Sequence, residues 1–234
     1  MAKRKIETKK AIVFIVEGRT DKIALEKIFQ RIYQNKDIVF KFMEGDITSD
    51  VKISKLNVQD IIYAKVEEYR QQKKLKKSDI WQIIHIFDTD GTYVAPEAVA
   101  KGETFKFVYT PTQIRCKSIS EVIQRNQRKG DMMDYLLNLD NIKGINYKGY
   151  FMSSNLDHVL YNEQNLDDML KREYADAFYE EFQGRERMFI DFLKEEAANG
   201  VPDSYPASWR YIREELHSLE RHTNLHLYFT GNPY

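Results

Sequence analysis

Near its start the chain reads Ala11-Ile-Val-Phe-Ile-Val-Glu-Gly-Arg-Thr-Asp21. Apolar residues, most of them β-branched, occupy every position up to Glu17, and a helical pattern starts almost directly after Gly18. A continuous apolar run of this kind is typical of a strand that is buried on both faces of a parallel sheet and leads into a crossover helix. The segment therefore predicts an α/β fold in which Glu17 stands at the carboxyl end of a central strand.

A second segment, Trp81-Gln-Ile-Ile-His-Ile-Phe-Asp-Thr-Asp-Gly91, repeats the pattern. Its apolar run ends at Asp88, and Asp90 follows shortly after. If the two strands are neighbours, Glu17, Asp88 and Asp90 converge at the carboxyl edge of the sheet, where open α/β sheets bind their ligands. Carboxylates held that close repel one another unless a cation lies among them, and hard oxygen ligands suit Mg²⁺ or Mn²⁺. The two segments together predict a metal site.

The residues between these strands complete a βαβαβ pattern. The predicted elements are a helix from Thr20 to about Tyr33, a short strand over Ile38–Phe42, a polar loop over Glu44–Asp50, and a helix from about Leu56 to the basic run Gln71–Lys77.

After Gly91 the pattern is less regular. The predicted elements are a strand over Thr104–Tyr109, a helix from Ser118 with Glu121 completing a capping box and Gly130 as a candidate break, a core strand over Tyr147–Met152, and a helix with Asn155 as its N-cap. Several cations make the middle of this region locally basic: Arg115, Lys117, Arg125, Arg128 and Lys129.

The last part of the chain is predicted to be mainly helical. Two core-facing stripes are expected, formed by Ala175, Phe178, Tyr179 and Phe182, and by Met188, Phe189, Phe192 and Leu193. The segment Gly200–Pro206 interrupts the helices, a last helix runs from about Ala207 to Leu219, and Leu225–Phe229 is a candidate closing strand. We therefore expect a catalytic domain over residues 1–165 and a helical extension over residues 166–234.

Composition sets limits on the function. The 234 residues carry 36 basic and 36 acidic side chains, so affinity for a polyanion has to come from local patches. Cys116 is the only cysteine and no secretory leader pattern is present, which favours a reducing, cytoplasmic location. No apolar run approaches the roughly 20 residues that span a bilayer. The basic segment Met1–Lys10 is either a solvated arm or a polyanion contact.

Each acidic motif has other interpretations when it is considered singly. Glu17 can stabilise the start of the next helix, and Asp90-Gly91 is a common hairpin dipeptide. An EF-hand is excluded because Val99 takes the place of the closing glutamate. Neither the glycine pattern of dinucleotide folds nor a phosphate-binding loop is present.

In combination the motifs are more specific. A strand followed by Glu17-Gly18-Arg19-Thr20-Asp21 at a helix start, a further βα unit, and a strand ending in Asp88-Thr89-Asp90-Gly91 resemble the Toprim domain of topoisomerases, bacterial primases, an RNA-maturation ribonuclease and the OLD family of nucleases. The resemblance covers roughly residues 10–160. It implies a Rossmann-like, mostly parallel sheet flanked by helices, a catalytic Mg²⁺ or Mn²⁺ held by Glu17, Asp88 and Asp90, and Asp21 as the additional acidic position of OLD-type nucleases.

The size of the chain leaves no room for the strand-passage domain of a topoisomerase or the zinc module of a primase. The segment Phe151–Leu160 with the helices after it is similar to small stand-alone Toprim nucleases encoded beside an ATPase in phage-defence and abortive-infection systems. This resemblance implies a toxic metal-dependent endonuclease that cuts DNA or structured RNA such as tRNA, with a partner ATPase of the ABC/AAA type. Two alternatives stay open: a catalytically silent interaction module, and a ribonuclease of ordinary RNA maturation.

Other side chains are weaker candidates. Asp157 and His158 are possible additions to the site, or cap a helix start. Candidate phosphate contacts are Lys22, Arg19, Arg115 and Lys117, all of which can equally be solvated cations. The spacing of His217, His222 and His226 is poor for zinc, and His85, within a core strand, is expected to be structural.

Overall fold

The computed structural model describes residues 11–33, 37–42 and 46–231. The basic segment Met1–Lys10 lies outside the described residues. Within them the strands are β1 (Ala11–Val16), β2 (Asp37–Phe42), β3 (Ile80–Asp88), β4 (Val99–Lys101), β5 (Val108–Tyr109), β6 (Ile114–Cys116), β7 (Asn141–Ile142) and β8 (Ile145–Met152). The α-helices are α1 (Arg19–Ile32), α2 (Val58–Gln72), α3 (Ile119–Leu137), α4 (Leu156–Tyr161), α5 (Lys171–Phe182), α6 (Glu186–Phe192), α7 (Tyr205–Tyr211) and α8 (His226–Gly231).

The main sheet has the strand order β2-β1-β3-β8-β7. The first four strands are mutually parallel, and β7 adds an antiparallel edge. Every residue of β1 is buried, which is expected of a parallel strand covered on both faces. The predicted α/β class, with a mostly parallel sheet flanked by helices, is confirmed.

The two faces of the sheet pack against different helices. Ile12, Phe14 and Val16 face α1, α5, α6 and α8, whereas Val13 and Ile15 face α2, α3 and α7, as the alternation of side chains along a strand requires. Aromatic rings dominate the first face. The ring of Phe14 lies 4.8 Å from that of Phe29 and 5.3 Å from that of Tyr228, both edge-on.

The end of the chain packs into this same core. Thr223 forms an isolated antiparallel bridge with Met152, and the Asn224 side-chain oxygen accepts a hydrogen bond from the Phe151 backbone N–H at 2.8 Å. The segment after α7 therefore reaches the carboxyl end of β8. The division of the chain after residue 165 stays a prediction.

A small second sheet, in the order β4-β6-β5, was not predicted. Its core is formed by Val99, Ile114 and Cys116 with Leu219. Of the strand expected over Thr104–Tyr109, only Val108 and Tyr109 pair in the ladder. Such short strands carry too few residues to show a periodicity of two.

Helix α3 runs through Gly130 without a break, which corrects the expected interruption. One glycine costs a helix only about 1 kcal/mol, and here the missing Cβ leaves room for Thr92, whose Cγ2 would lie 3.3 Å from a Cβ built at Gly130.

Two expectations for the last part of the chain are corrected. Helix α7 ends at Tyr211, well before the predicted Leu219. Met188, predicted in the core, is 55% exposed.

The predicted closing strand at Leu225–Phe229 is wrong, because this segment contributes to helix α8. Leu225, Tyr228 and Phe229 are all buried, and their spacing of three and four residues is helical. Short apolar runs fit a strand and a buried helix equally well, so the sequence pattern did not separate the two. Among the described helices, none is both long and apolar enough to cross a membrane.

Candidate metal centre

The carboxyl ends of β1 and β3 lie side by side, as the sequence predicted. Phe14 pairs with Ile84 and Ile15 with His85 in the parallel ladder, so Glu17 and Asp88 emerge at the same edge of the sheet. The backbone N–H of Asp88 donates to Glu17 Oε1 at 3.4 Å. The expected neighbourhood of the two acidic motifs is therefore present.

Asp90 is held by a tight turn. Its φ of 50° and the φ of 65° at Gly91 both lie in the left-handed region, which aspartate tolerates and glycine adopts freely. The Asp90 N–H donates to the Ser154 carbonyl at 2.6 Å. Thr89 fixes the turn from inside, because its hydroxyl donates to the Ser218 carbonyl and accepts from the Ser154 N–H, both at 2.9 Å. The Asp-Thr-Asp-Gly turn is thus anchored to the residues directly after β8 and to the segment after α7.

Glu17, Asp46 and Asp90 form a compact acidic cluster. Each offers a carboxylate oxygen within 4.8 Å of the others, and among the described residues this is the group that could hold a metal ion. The three side chains are partly buried, with 15% to 20% of each exposed. Two of the three residues, Glu17 and Asp90, were predicted from the sequence.

Asp46 was not predicted as a site residue. It follows β2, the parallel neighbour of β1, so the rule that placed Glu17 and Asp88 at the sheet edge applies to it as well. Its carboxylate accepts hydrogen bonds from the Thr48 N–H at 2.8 Å, from the Ser49 hydroxyl at 2.6 Å and from the Thr48 hydroxyl. The polar loop after β2 therefore presents one fixed carboxylate to the site.

The ammonium group of Lys129 lies among the three carboxylates. Its Nζ is 2.6 Å from Asp90 Oδ2, 2.8 Å from Asp46 Oδ2 and 3.3 Å from Glu17 Oε1, and the side chain is 0% exposed. Burial alone would lower the pKa of Lys129, but the carboxylates of Asp46, Asp90 and Glu17 raise it well above its ordinary value. Lys129 is therefore a charged, fully buried counter-ion.

The sequence around Lys129 contains a signal of its burial. On helix α3, Arg125 and Lys129 share the buried face with Val122, Met133 and Leu136, at helical spacing. A lysine or arginine within an apolar stripe is almost never buried unless it is paired. Such a stripe thus predicts an acidic partner on a neighbouring element.

Asp90 has two further donors. The Tyr109 hydroxyl donates to Asp90 Oδ1 at 3.2 Å, and Arg125 Nη1 lies 3.5 Å from Asp90 Oδ2. Burial, and next the charge of Asp90, raise the pKa of Tyr109 well above its usual range. The Tyr109 hydroxyl therefore stays protonated as a donor that orients Asp90.

The predicted residues Asp88 and Asp21 line the same cleft without joining the compact cluster. Within the part of the chain that the structure describes, the Asp88 carboxylate has no hydrogen-bond or ion-pair partner. Burial, followed by repulsion from Glu17, Asp21 and Asp90, raises the pKa of Asp88 well above its ordinary value. Asp21 Oδ2 accepts from the Gly18 N–H at 2.8 Å, which is the helix-start role left open from the sequence.

Burial, followed by repulsion from Asp46, also raises the pKa of Glu17, despite the nearby Lys129. The potential metal ligands are all carboxylate oxygens, which a hard divalent cation prefers. The single ammonium group of Lys129 only partly compensates the repulsion among these carboxylates, so a bound cation would reduce it further. Glu17, Asp46 and Asp90 would hold the ion, with Asp88 beside them.

The cleft has a volume of about 370 Å³ and is open to solvent. Among the residues that line it, Lys171 Nζ lies 3.2 Å from Asp157 Oδ2, while Asp157 Oδ1 has no hydrogen-bond partner among the described residues.

His158 is buried and does not line the cleft, and its backbone N–H donates to the Asn155 side chain, the predicted helix cap. The cations that line the cleft are Lys106 and Lys171. The cleft is not lined by the other candidate phosphate contacts, which are Lys22, Arg19, Arg115 and Lys117.

The histidines lie elsewhere. His222 Nε2 is 3.1 Å from Glu220 Oε2, and His226 Nε2 is 3.5 Å from Asp203 Oδ1. His217 Nδ1 is 2.7 Å from the Tyr211 carbonyl oxygen. His85 is buried on β3 with Nδ1 2.9 Å from the Tyr147 hydroxyl, while its Nε2 has no partner among the described residues.

Compared with protein-family models, with curated proteins and with solved structures, the chain gives no match in any of the three. Its membership of the Toprim group stays a prediction from the acidic motifs.

Proposed function

We propose that the protein is a divalent-metal-dependent nuclease that hydrolyses phosphodiester bonds of DNA or RNA. One observation carries the proposal: Glu17, Asp46 and Asp90, from three separate loops at the carboxyl edge of a parallel sheet, offer oxygens within 4.8 Å of one another beside an open cleft. Asp88 and Asp21 add two carboxylates to the same cleft. This concentration of acidic groups disfavours binding of a polyanion unless a cation intervenes.

A bound Mg²⁺ or Mn²⁺ would supply Lewis-acid stabilisation of the negative charge that builds on the phosphoryl group. The protein's own groups prepare the site. Lys129 reduces the repulsion within the cluster and fixes the Asp46 and Asp90 carboxylates, while the Tyr109 hydroxyl orients Asp90 from the other side. Lys106 and Lys171 line the cleft, where both pair with Asp168, and in this proposal they are the cations that contact substrate phosphates.

Lys129 also favours a second candidate, a catalytically silent interaction module. Its ammonium already makes three close contacts with the carboxylates, so the cluster has a counter-ion of its own. In that case the acidic residues would stabilise the fold and bind no metal. The phage-defence role, the partner ATPase and the choice between DNA and tRNA stay predictions of the family resemblance.

The test compares wild type with Asp46→Asn and Asp88→Asn in cleavage of supercoiled plasmid, single-stranded DNA and total tRNA with Mg²⁺ or Mn²⁺. Asp50→Asn is the matched control, since Asp50 lies in the same loop and its side chain accepts only the Lys52 N–H among the contacts described. We expect both site variants to lose cleavage and Asp50→Asn to retain it.

Calorimetric titration with Mn²⁺ separates the two candidates. We expect the Asp46→Asn variant to lose at least about tenfold in Mn²⁺ affinity, the loss that removal of even an outer metal-site partner causes. A wild type that binds Mn²⁺ without cutting would point to activity that needs a partner. A wild type that neither binds Mn²⁺ nor cuts would refute the nuclease proposal and favour the silent module.

A further inference from the structure

A basic and aromatic surface adjoins the acidic cleft. Residues 101–117, which include β5 and β6, contain four cations (Lys101, Lys106, Arg115 and Lys117) against the single acid Glu103. The whole chain, in contrast, carries equal numbers of basic and acidic residues. All four cations are exposed. This segment therefore carries an excess of positive charge on a protein without net charge, and of its four cations Lys106 pairs with Asp168 at 3.8 Å.

An exposed aromatic ring lies in the middle of the patch. Phe105 is 76% exposed, and the Lys117 ammonium lies 4.0 Å from the centre of its ring. Lys101 Nζ donates to the backbone carbonyl of Lys117 at 3.1 Å, so the Lys101 ammonium is held at the Lys117 backbone. A ring that is open to solvent and has an ammonium group beside it is an arrangement on which a nucleic-acid base can stack while its phosphates contact nearby cations.

The same sheet extends the patch. Val108 pairs with Arg115 in the antiparallel ladder of β5 and β6, and both side chains point to the exposed face, while Ile114 and Cys116 point into the core. Arg115 thus stands on the outer face of a short strand. This position suits a contact to a backbone phosphate.

The patch is continuous with the carboxylate site. Lys106, Phe107 and Tyr109 line the cleft, and the Arg125 guanidinium lies 5.1 Å from the Phe107 ring and 3.5 Å from Asp90 Oδ2. The Tyr109 hydroxyl contacts Asp90 directly. A chain held on the patch would therefore lead into the cleft.

We propose that residues 101–117 bind single-stranded nucleic acid, with Phe105 stacking on an unpaired base and Lys101, Arg115 and Lys117 contacting phosphates. Single strands are favoured over duplexes because only unpaired bases expose a face to an aromatic side chain. The expectation that the bound nucleic acid leads into the acidic cleft rests on the proposed nuclease function. The inference names single-stranded nucleic acid as the substrate class of that site. Binding itself requires neither a metal nor cleavage.

The test measures fluorescence anisotropy of short labelled oligonucleotides in EDTA, so that no cleavage occurs. The probes are oligothymidine, oligouridine and a duplex of the same length, and the thymidine and uridine arms distinguish DNA from RNA. We expect Phe105→Ala to bind the preferred single strand about tenfold more weakly, which is the size of one lost stacking contact. Phe105→Trp should retain binding, because it keeps a stacking surface.

Charge reversal gives an independent readout. Lys117→Glu is expected to weaken binding and to reduce the slope of log affinity against log salt by at least about 0.7, the value for one phosphate contact on a single strand. The matched controls are Met188→Ala, an exposed apolar residue on α6, and Lys73→Glu, an exposed lysine just after α2. Both controls should bind as wild type does.

The proposal is overturned if Phe105→Ala and Lys117→Glu both bind like wild type, if the controls lose as much affinity as they do, or if the duplex binds as tightly as the single strands. These outcomes differ from failure of the nuclease proposal. If the protein neither binds metal nor cuts nucleic acid but still binds single strands through Phe105, the binding proposal for residues 101–117 stands and the nuclease proposal fails.

Discussion

The ammonium nitrogen of Lys129 lies 2.6 Å from Asp90 Oδ2, in a position with no solvent exposure. This contact joins the middle of helix α3 to the turn after β3. The same ammonium reaches Asp46 after β2 and Glu17 after β1. One cation therefore ties together the loops that form the site, and it leaves part of their negative charge uncompensated.

Lys129→Met is expected to lower the free energy of unfolding by about 3 kcal/mol in EDTA, because three partly buried carboxylates lose their counter-ion. If the cluster binds metal, Mn²⁺ should restore more stability to this variant than to wild type. Urea denaturation with and without Mn²⁺ measures both effects.

Lys143→Met is the matched control. Lys143 Nζ lies 2.6 Å from Asp60 Oδ1, but both side chains are about half exposed, so this pair contributes at most about 1 kcal/mol. Equal losses of stability in the two variants would contradict the role assigned to Lys129.

Gly91→Ala is expected to lower the free energy of unfolding by about 3 kcal/mol and to weaken Mn²⁺ binding. A Cβ at Gly91 would lie 2.6 Å from Leu219 Cδ2 and 2.8 Å from Ile114 Cδ1, and the φ of 65° adds left-handed strain. The overpacking would displace the adjacent Asp90 turn. Urea denaturation and calorimetric titration measure the two losses.

Gly184→Ala separates strain from crowding. Gly184 has a φ of 77°, but no atom lies within 4 Å of a Cβ built there. Its substitution should cost only about 1 kcal/mol, from the left-handed backbone. If Gly91→Ala costs no more than Gly184→Ala, the close approach of Leu219 and Ile114 is not what requires a glycine.

The sequence predicted the part of the site that follows from sheet topology. Glu17, Asp88 and Asp90 come directly after apolar runs, and parallel strands bring such positions to one edge. Asp46 was missed because its loop contains three acidic residues at Glu44, Asp46 and Asp50, and nothing in the pattern selects one of them. The selection comes from the tertiary contact with Lys129, while Thr48 and Ser49 fix the Asp46 carboxylate from within the loop.

Lys129 was missed for a different reason. Its burial depends on carboxylates contributed by three other segments, and the local pattern contains no trace of them beyond a cation on an apolar helix face. The helix at the end of the chain shows the same limit. Leu225 and Tyr228 fit either a strand or a helix until the core that receives them is known.

Acid should destabilise the protein through His85. The imidazole is 0% exposed on β3, its ring centre is 3.9 Å from that of Phe87, and burial lowers its pKa to about 3. In the unfolded chain a histidine takes up a proton near pH 6.5, whereas the folded protein does not do so until about pH 3. Between these values the unfolded state binds the extra proton, so the free energy of unfolding falls as the pH falls.

The expected contribution is about 2 kcal/mol of lost stability between pH 7 and pH 5. His85→Gln removes this titration while it keeps a polar group that can bond to the Tyr147 hydroxyl. Urea denaturation of wild type and variant at both pH values, in EDTA, isolates the effect, because the other titrating groups are common to the two proteins. Wild type should lose about 2 kcal/mol more than the variant on acidification. If wild type and His85→Gln lose the same free energy of unfolding on acidification, the folded protein accommodates a protonated His85, and the low pKa assigned to this buried side chain is wrong.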